Sequence, residues 1–526
     1  MRNKKFISFK WIEILARVLS LALLILLFLK AIINLDTNYD TGWYHHVFAA
    51  RIWGIIPKDL FLTEKHIEYR YDGFPLLAHF LQGFFWKITG TIKATNLVAY
   101  FSVIAYLLFL RSYFKVPWYV STIAIFTIPV VITHSTASYV DLFGNIGVSI
   151  AVMMIYRFST DTTFPNKKDL LIFGLGMFVG ANTKPQLTVI VGVLWIVAFV
   201  LVPVRFLFSQ NFKVSRKRLV SFASATVIAS SLIFYTSIKN VVIYGNPVYP
   251  VKVQVAGIVL NHEATPATYS QGNRPQKWLR SVLEINTPKW SVDQYSSSPG
   301  ILDRAGGFFG AYVAFNLLLL VVLAILEFKR KEKIFDRLDS QAIIALIIVT
   351  GSSMFVANFP QSHELRYFMF WMIILVSLNL SIVCSLKIRL FNKSLLTCYL
   401  FACIVFFFTM CIKIDYYYWR PVFEPVSVPP RGFTSAEQYV KDENAVKAEL
   451  IEQIIANERI CLLSRAAIPK PTAVPYASIA NAIFYSSYFH REEVKDDYAI
   501  QAVTNPEGCG DLPIVPNPLT IKTNKP

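Results

Sequence analysis

The chain has 526 residues, of which 55% are hydrophobic and only 16% are charged, with a mean hydropathy of +0.47. A soluble domain has roughly 25% charged residues, so this composition excludes an ordinary soluble protein and indicates a polytopic membrane protein. The net charge of +18 does not indicate nucleic acid as a partner, because the basic residues lie mainly in short loops between apolar runs. Basic residues in such loops orient a membrane protein, and membrane lipids are its expected surroundings.

The first predicted element is a membrane-spanning helix. The basic start MRNKKFISFK precedes an apolar run from Trp11 to Ile33. That run is too long for the core of a signal peptide and has no small-residue cleavage site, so we predict an uncleaved span. Similar runs, long enough to cross roughly 30 Å of hydrocarbon, recur along the chain. They predict about eleven spans, near residues 12–34, 74–91, 94–113, 116–134, 139–157, 168–205, 219–238, 308–328, 341–358, 366–386 and 394–413.

One run, 168–205, is too long for one straight span and too short for two. We predict a single pass broken near Thr183-Lys184-Pro185, because two passes would place the polar regions 35–73 and 239–307 on opposite faces. Basic clusters favour this choice, since they mark the cytoplasmic side and together place every long polar region outside. The clusters lie at residues 2–5, 213–218, 329–333 and 387–393.

The sequence therefore predicts two domains. Residues 1–413 form an all-α transmembrane domain with a cytoplasmic N-terminus and external loops 35–73 and 239–307. Residues 414–526 form a small external α/β domain, in which the run beginning at Ser435 has helical spacing and a capping start. Cys461 and Cys509 would pair in this domain if its compartment is oxidising.

The first external loop contains two carboxylates, in the stretch LDTNYDTGWYHHVFAARIW. Asp36 and Asp40 are four residues apart, so on a helix they share a face, and a carboxylate there can act as a general base. Apolar spacing from Trp43 to Trp53 predicts an amphipathic helix on the membrane surface. The alternative is a helix N-cap with solvated charge.

Two adjacent histidines, His45 and His46, follow these acids. Neighbouring residues on a helix diverge by about 100°, which disfavours a metal ion shared by this pair. We instead expect one of the two rings to hydrogen-bond in an outer pocket.

Several ionised residues lie at the ends of apolar runs. Arg70 precedes Pro75, which suits the first turn of the next span, and can hold a phosphate by a forked contact. Arg366, in SHELRYF with His363 and Glu364, is a second phosphate candidate. For both arginines the alternative is an interfacial side chain that snorkels.

Asp141 and Lys184 are also candidates, because ionisable residues at membrane depth are costly and generally have a functional partner. We predict that these two residues pair with each other. The alternative is that either one lies at the membrane interface.

The order of motifs resembles the GT-C superfamily of integral-membrane glycosyltransferases, in particular its protein mannosyltransferase-like and aminoarabinose transferase-like members. The motifs are YDTGWYHHVFAARIW, YDGFPLLAHFLQGFFWKITG, GLGMFVGANTKPQ, KNVVIYGNPVYP and SHELRY, within about residues 10–390. The resemblance implies a bacterial inner-membrane enzyme that transfers a sugar, with inversion, from a polyprenyl phosphate or diphosphate carrier. The acceptor would be a surface glycan, lipopolysaccharide or protein on the periplasmic face.

The resemblance also implies roles for individual residues. By match to the first motif, Asp40 resembles the catalytic base and Asp36 a second acid. Departure of a phosphate needs positive charge, which we assign to Arg70, Lys184 and Arg366. The remaining candidates for the substrate site are Asp141, His363 and Glu364.

The sequence departs from the family pattern in two places. Family members commonly have a lysine before the second-span proline, where this chain has Arg70, Tyr71 and Asp72. There is also no clear second acid to complete a metal site, so a requirement for a divalent metal stays open. Two other classes remain: a flippase or transporter for a lipid-linked glycan, although no internal repeat is visible, and an envelope-polymer polymerase or ligase of a different fold.

Overall fold

The computed structural model is mostly helical, as the composition predicts. Its description covers most of the apolar part of the chain and three short strands of the tail. The described residues are 10–34, 36, 40–55, 65–161, 165–208, 216–255, 257–264, 272–285, 307–330, 340–385, 392–413, 459–463, 499–503 and 514–515.

Seven helices among the described residues are long and apolar enough to cross a membrane. They cover Lys10–Ile33, Ile92–Phe114, Asp141–Thr160, Gly310–Lys329, Gln341–Asn358, Leu365–Ser385 and Leu395–Ile412. An eighth candidate is the pair Val227–Ile233 and Tyr235–Tyr244, which is bent by 71°. The chain is therefore a multi-pass helical membrane protein.

The contacts divide the chain into two compact units. The loop unit comprises residues 29–98, 137–139 and 421–526, and the span unit comprises residues 1–28, 99–136 and 140–420. Helices α1 (Lys10–Ile33) and α5 (Leu97–Phe114) contribute residues to both.

The loop unit contains the residues after α1. A π-helical turn, Thr41–His45, leads into α2 (His46–Trp53), and α3 (Lys65–Gly73) and α4 (Leu77–Thr89) follow. A 3₁₀ turn, Ile92–Asn96, precedes α5.

Helix α4 replaces the predicted span at 74–91. Its 13 residues are about 20 Å long, which is too short for roughly 30 Å of hydrocarbon. In addition, the side-chain amide of Asn96 donates to the carbonyl oxygens of Ala31 (3.2 Å) and Asn34 (2.9 Å). Because Asn34 ends the first span and Asn96 precedes α5, the chain leaves and re-enters the membrane at one level.

The span unit contains the remaining helices. They are α6 (Trp118–Phe126), α7 (Pro129–His134), α8 (Asp141–Thr160), α9 (Lys167–Ala181), α10 (Pro185–Phe208), α11 (Arg216–Ile233), α12 (Tyr235–Tyr244), α13 (Arg274–Leu283), α14 (Gly310–Arg330), α15 (Gln341–Asn358), α16 (Met369–Ser385) and α17 (Asn392–Lys413). A short antiparallel pair, β1 (Gln254–Val255) and β2 (Ile258–Val259), precedes α13. A 3₁₀ turn, Leu365–Phe368, begins the span that α16 continues.

The region 168–205 breaks where predicted, between α9 and α10, but the two helices reverse direction and do not form a single pass. A continuing helix would separate Gly180 and Val191 by about 16 Å. Instead, a Cβ atom added to Gly180 would lie 2.9 Å from a methyl group of Val191. The predicted span at 74–91 is lost, and α9 and α10 stand where one pass was predicted. The predicted span at 116–134 is likewise divided between α6 and α7, neither of which alone is long enough to cross a membrane.

Glycines bring α8 and α9 together. A Cβ atom on Gly147 would lie 2.8 Å from the carbonyl oxygen of Gly176 and 2.8 Å from the nitrogen of Gly180. Small residues allow helix backbones to approach this closely in membranes. The close approach places the start of α8, at Asp141, beside the turn that carries Lys184.

Buried polar side chains connect the spans around α16, whose residues 369–383 are all buried. Ser377 bonds to the hydroxyl group of Tyr106 (2.8 Å), and the amide of Asn379 donates to Asn316 (3.0 Å). Asn316 also accepts from Tyr399 (3.0 Å). Hydrogen bonds between helices of this kind hold membrane bundles together.

The tail contains three parallel strands, β3 (Arg459–Leu463), β4 (Ala499–Val503) and β5 (Ile514–Val515), in the order β4-β3-β5. These strands are the described part of the tail, and the external α/β domain stays a prediction. The predicted helix from Ser435 and the side chains of Cys461 and Cys509 lie outside the described residues.

Candidate functional site

Two groups of buried polar residues contain most of the candidates. The first-loop network lies in the loop unit and comprises Asp36, Thr41, His45, His46, His79, Gln82, Thr95, Asn96 and Ser138. The ion-pair cluster lies in the span unit and comprises Asp141, Asn145, Lys184, His363, Glu364, Arg366 and Tyr367.

Asp36 is a fixed, buried carboxylate in the first-loop network. Only 8% of the residue is exposed, and its Oδ2 accepts hydrogen bonds from the Thr41 hydroxyl (2.6 Å) and the Ser138 N–H (2.7 Å). Hydrogen bonds to an ionised group are among the stronger ones in proteins. Asp36 is therefore held in one position by neutral donors.

Asp40 occupies a different environment. It is half-buried and directly precedes the π-helical turn, and its side chain makes no capping hydrogen bond. The N-cap alternative does not apply to it. Asp36 lies outside the helix that Asp40 begins, so the predicted shared helical face is wrong. Single π-helical turns are frequent at functional sites because they redirect side chains.

Ser138 is the centre of the network, and the sequence did not single it out. Its hydroxyl donates to Oδ1 of Asn96 (2.7 Å), while the Thr95 hydroxyl donates to the Ile92 carbonyl (2.7 Å). The oxygens of both hydroxyls lie near Nε2 of His46, at 3.0 and 3.1 Å, and can accept its proton. We assign the Nε2–H tautomer to His46 on this basis.

The three histidines of the network are buried. Burial, followed by the charge of His79, lowers the pKa of His46 to about 3, so this ring is neutral near pH 7. Nδ1 of His45 lies 2.8 Å from Nε2 of His79, and the two rings stack. The expected hydrogen bonding of His45 and His46 is confirmed, although in the interior rather than in an outer pocket. No group of three His, Cys, Asp or Glu side chains suited to a metal ion occurs within the described residues.

The ion-pair cluster contains the predicted pair. Lys184 donates from Nζ to Oδ1 of Asp141, and both residues are buried. The Lys184 ammonium also lies 4.2 Å from the ring centroid of Tyr367, and the Arg366 guanidinium lies 4.9 Å from the same ring. Two cations therefore flank one aromatic ring, and Lys184 is ion-paired with Asp141.

Asn145 of α8 fixes the turn that carries Arg366. Its amide donates to the Arg366 carbonyl (3.2 Å), and its Oδ1 accepts from the Phe370 N–H (2.9 Å). Asp141 is one helical turn before Asn145, so a single helix positions both the carboxylate and the arginine.

His363 and Glu364 are buried beside this turn, with Nε2 3.7 Å from Oε1. Burial, and then the charge of Lys277, lower the pKa of His363 to about 4, so this histidine is neutral near pH 7. Lys277 of α13 is a further cation that the sequence did not single out. The signal in the sequence that could have identified Lys277 is the group of basic residues in RPQKWLR.

Arg70 is half-buried on α3 in the loop unit, with its guanidinium 5.0 Å from the ring of Tyr69. Glu68, two residues earlier on α3, forms a forked ion pair with Arg51 at 2.7 and 3.0 Å. The three predicted phosphate-binding cations are thus divided between the units, Arg70 in one and Lys184 and Arg366 in the other.

No family model, curated protein or solved structure matches the chain. The motif resemblance to GT-C glycosyltransferases therefore stays a prediction. The chemistry of the two polar groups is the basis on which a function is proposed below.

Proposed function

We propose that the protein is a glycosyltransferase of a bacterial inner membrane. It moves a sugar from a polyprenyl-phosphate carrier to a surface glycan, lipopolysaccharide or protein on the external face. The observation that carries the proposal is the construction of the first-loop network. Neutral donors fix Asp36, and Asp40 stands at the start of a π-helical turn without capping it.

In the proposed reaction, Asp40 takes the proton from an acceptor hydroxyl or amine. The acceptor atom attacks the anomeric carbon, the bond from that carbon to the phosphate oxygen breaks, and the polyprenyl phosphate leaves with the electron pair. Attack opposite the leaving group inverts the configuration. Asp36 is a positioning residue in this scheme, because its hydrogen bonds tie the segment before Asp40 to Ser138.

The cations are the proposed contacts of the phosphate. A guanidinium can bind two phosphate oxygens at once, and positive charge stabilises the departing anion. We assign Lys184 and Arg366 of the ion-pair cluster to the phosphate, and Arg70 of the loop unit stays a separate candidate. Asp141, His363 and Glu364 shape the site around these cations.

A transfer assay in membranes tests the proposal. Wild type, Asp40→Asn and the control Asp161→Asn, which lies at the opposite end of α8 from Asp141, receive a radiolabelled polyprenyl-phosphate sugar. Label in the surface glycan is counted at equal protein levels. Loss of a general base generally costs about 10²- to 10⁴-fold. We expect that loss, with accumulated donor, only in Asp40→Asn. Full transfer by Asp40→Asn would reject the proposed base, and repeating the assay with EDTA tests metal dependence.

A flippase for lipid-linked glycans is the second candidate, and one observation favours it. Asp141 and Lys184 form a buried ion pair where a membrane-spanning helix begins, and transporters use such pairs along their substrate pathways. A flippase would move the donor across proteoliposomes with the sugar–phosphate bond intact. A glycosyltransferase would release free carrier phosphate only when an acceptor is present.

A further inference from the structure

Helix α4 is amphipathic in the opposite sense to a helix on a water-soluble protein. The side that faces the protein is the more polar one, and the side that faces outward is aromatic and aliphatic. The buried side comprises Ala78, His79, Gln82, Gly83 and Trp86, and the outward side comprises Phe80, Phe84 and Ile88, which are 46%, 38% and 67% exposed.

Contacts on the buried side fix this orientation. His79 bonds to His45 (2.8 Å), and the Gln82 amide donates to the Ser138 carbonyl (2.6 Å). A Cβ atom on Gly83 would lie 2.5 Å from the carbonyl oxygen of Ala49 in α2, so the backbones of α2 and α4 are closely packed. Rotating α4 to hide its apolar side would break these contacts.

The outward residues form a continuous surface with Trp53, the last residue of α2. The Trp53 ring lies 5.1 Å from that of Phe80 and 5.7 Å from that of Phe84, and its N–H donates to the Phe80 carbonyl (2.8 Å). We call Trp53, Phe80, Phe84 and Ile88 the aromatic patch. A contiguous exposed apolar patch generally marks a membrane or protein contact.

The ends of this segment indicate which contact applies. The hydrogen bonds from Asn96 to Ala31 and Asn34 hold the end of one membrane helix at the start of the next. The 13-residue α4 lies between these points and is too short to cross the bilayer. It therefore stays near one membrane surface, where Trp side chains and helices with a large apolar side are favoured.

We propose that α4 lies in the interface of the bilayer, with the aromatic patch among lipid chains and its polar side supporting the first-loop network. The surface helix predicted for residues 43–53 does not take this position, because Val47, Phe48, Ala49 and Ala50 are all buried. In this proposal α4 is the surface helix, and it places the first-loop network at the level of the lipid headgroups. This inference does not depend on the proposed enzymatic activity.

Photo-crosslinking in intact membranes tests the inference. Benzoylphenylalanine replaces Phe84 or Ile88, one at a time, and the adducts are identified by mass spectrometry. Phe101, exposed on a membrane-spanning helix, is the positive control, and Phe48, fully buried in α2, is the negative control. We expect phospholipid adducts at 84 and 88 in yields of the same order as at 101, and none at 48.

Two outcomes would overturn the inference. Adducts at 84 and 88 between two copies of the chain, or with another protein, would assign the patch to a protein interface. Absence of lipid adducts at both positions, while 101 labels normally, would place the patch in water. The two positions are read independently, so failure of one variant to fold leaves the other as the test.

Discussion

The two polar groups are built from different chemistry. In the first-loop network the Asp36 carboxylate accepts hydrogen bonds from a hydroxyl and a backbone N–H. His46, in the same network, is neutral near pH 7. In the ion-pair cluster a carboxylate is held by an ammonium, and a second cation shares the same aromatic ring. The first arrangement holds its carboxylate with hydrogen-bond donors, while the second brings two cations to one ring beside the Asp141 carboxylate.

This difference separates the proposed tasks. A general base needs a carboxylate that can take up a proton, and a phosphate site needs cations held in place before the ligand arrives. The comparison predicts that changes in the first-loop network alter turnover, whereas changes in the ion-pair cluster alter donor binding. The predictions that follow test this division from the largest expected effect to the smallest.

The buried pair should give the largest effect on stability. Lys184→Met leaves Asp141 charged and buried, and Asp141→Leu leaves Lys184 in the same state. Removing one partner of a buried ion pair costs about 3–5 kcal/mol, whereas replacing both with apolar side chains is often nearly neutral. We expect each single variant to lose most folded protein in thermal melts in detergent, and the double variant to recover.

The double variant also separates structure from binding. If Lys184 contacts the phosphate, the double variant binds the donor more weakly than wild type even though its stability has recovered. Recovery of both stability and binding would make the pair purely structural and leave Arg366 as the cation of the cluster.

Asp36 should come next. Asp36→Ala removes the acceptor of two hydrogen bonds. We expect a cost of about 1.5–3 kcal/mol, the value of a hydrogen bond to a charged group, because the variant also loses the cost of burying the charge. Thr41→Val removes one of the two donors and should cost roughly half as much. The free energy of unfolding reports both effects, and an unchanged value for Asp36→Ala would show that the carboxylate does not hold the loop.

Acid should destabilise the first-loop network through His46. Its folded-state pKa of about 3 lies below the ordinary value of 6.5, so the unfolded chain binds the proton more readily. Stability is then full above pH 6.5 and falls as the pH drops toward 3, by about 2 kcal/mol at pH 5. Thermal melts from pH 7 to 5 should show this loss, and His46→Gln should show a smaller one. Equal slopes in both proteins would place the titrating group elsewhere.

Ser138→Ala should have the smallest effect of the series. It removes the hydroxyl that bonds to Asn96 and His46 but keeps the N–H that donates to Asp36. We expect a loss of about 1 kcal/mol, at the low end of the cost of leaving buried partners unsatisfied, because Nε2 of His46 keeps the Thr95 hydroxyl as a partner. Ser149→Ala is the matched control, because that buried hydroxyl bonds only to the carbonyl one turn back in its own helix. A loss no greater than that of the control would remove Ser138 from the centre of the network.

The sequence could predict the parts of the fold that depend on composition and charge. The apolar runs predicted a multi-pass helical protein, and the cost of burying charge predicted that Asp141 pairs with Lys184. Hydropathy could not distinguish α4 from a span, because a short helix with one face in lipid is as apolar as a crossing helix. The reversal at Thr183 was also hidden, since it depends on glycine contacts between α8, α9 and α10.

The centre of the first-loop network could not be predicted for a related reason. Ser138 and Asp36 are 102 residues apart in the chain, and Ser138 and Asn96 are 42 apart. Serine, threonine and asparagine side chains are neutral, so the cost of burying charge does not predict a partner for them. Their role becomes visible only when the fold brings them to one point.

The most direct measurement compares donor binding and transfer for Asp40→Asn and Arg366→Gln, purified into lipid nanodiscs with a short-chain polyprenyl-phosphate sugar. The account predicts that Asp40→Asn binds this donor as tightly as wild type but does not transfer the sugar. It predicts that Arg366→Gln binds the donor about tenfold or more weakly, because a charge-assisted contact is lost. Equal loss of binding in both variants, or full transfer by Asp40→Asn, would contradict the division between the two regions.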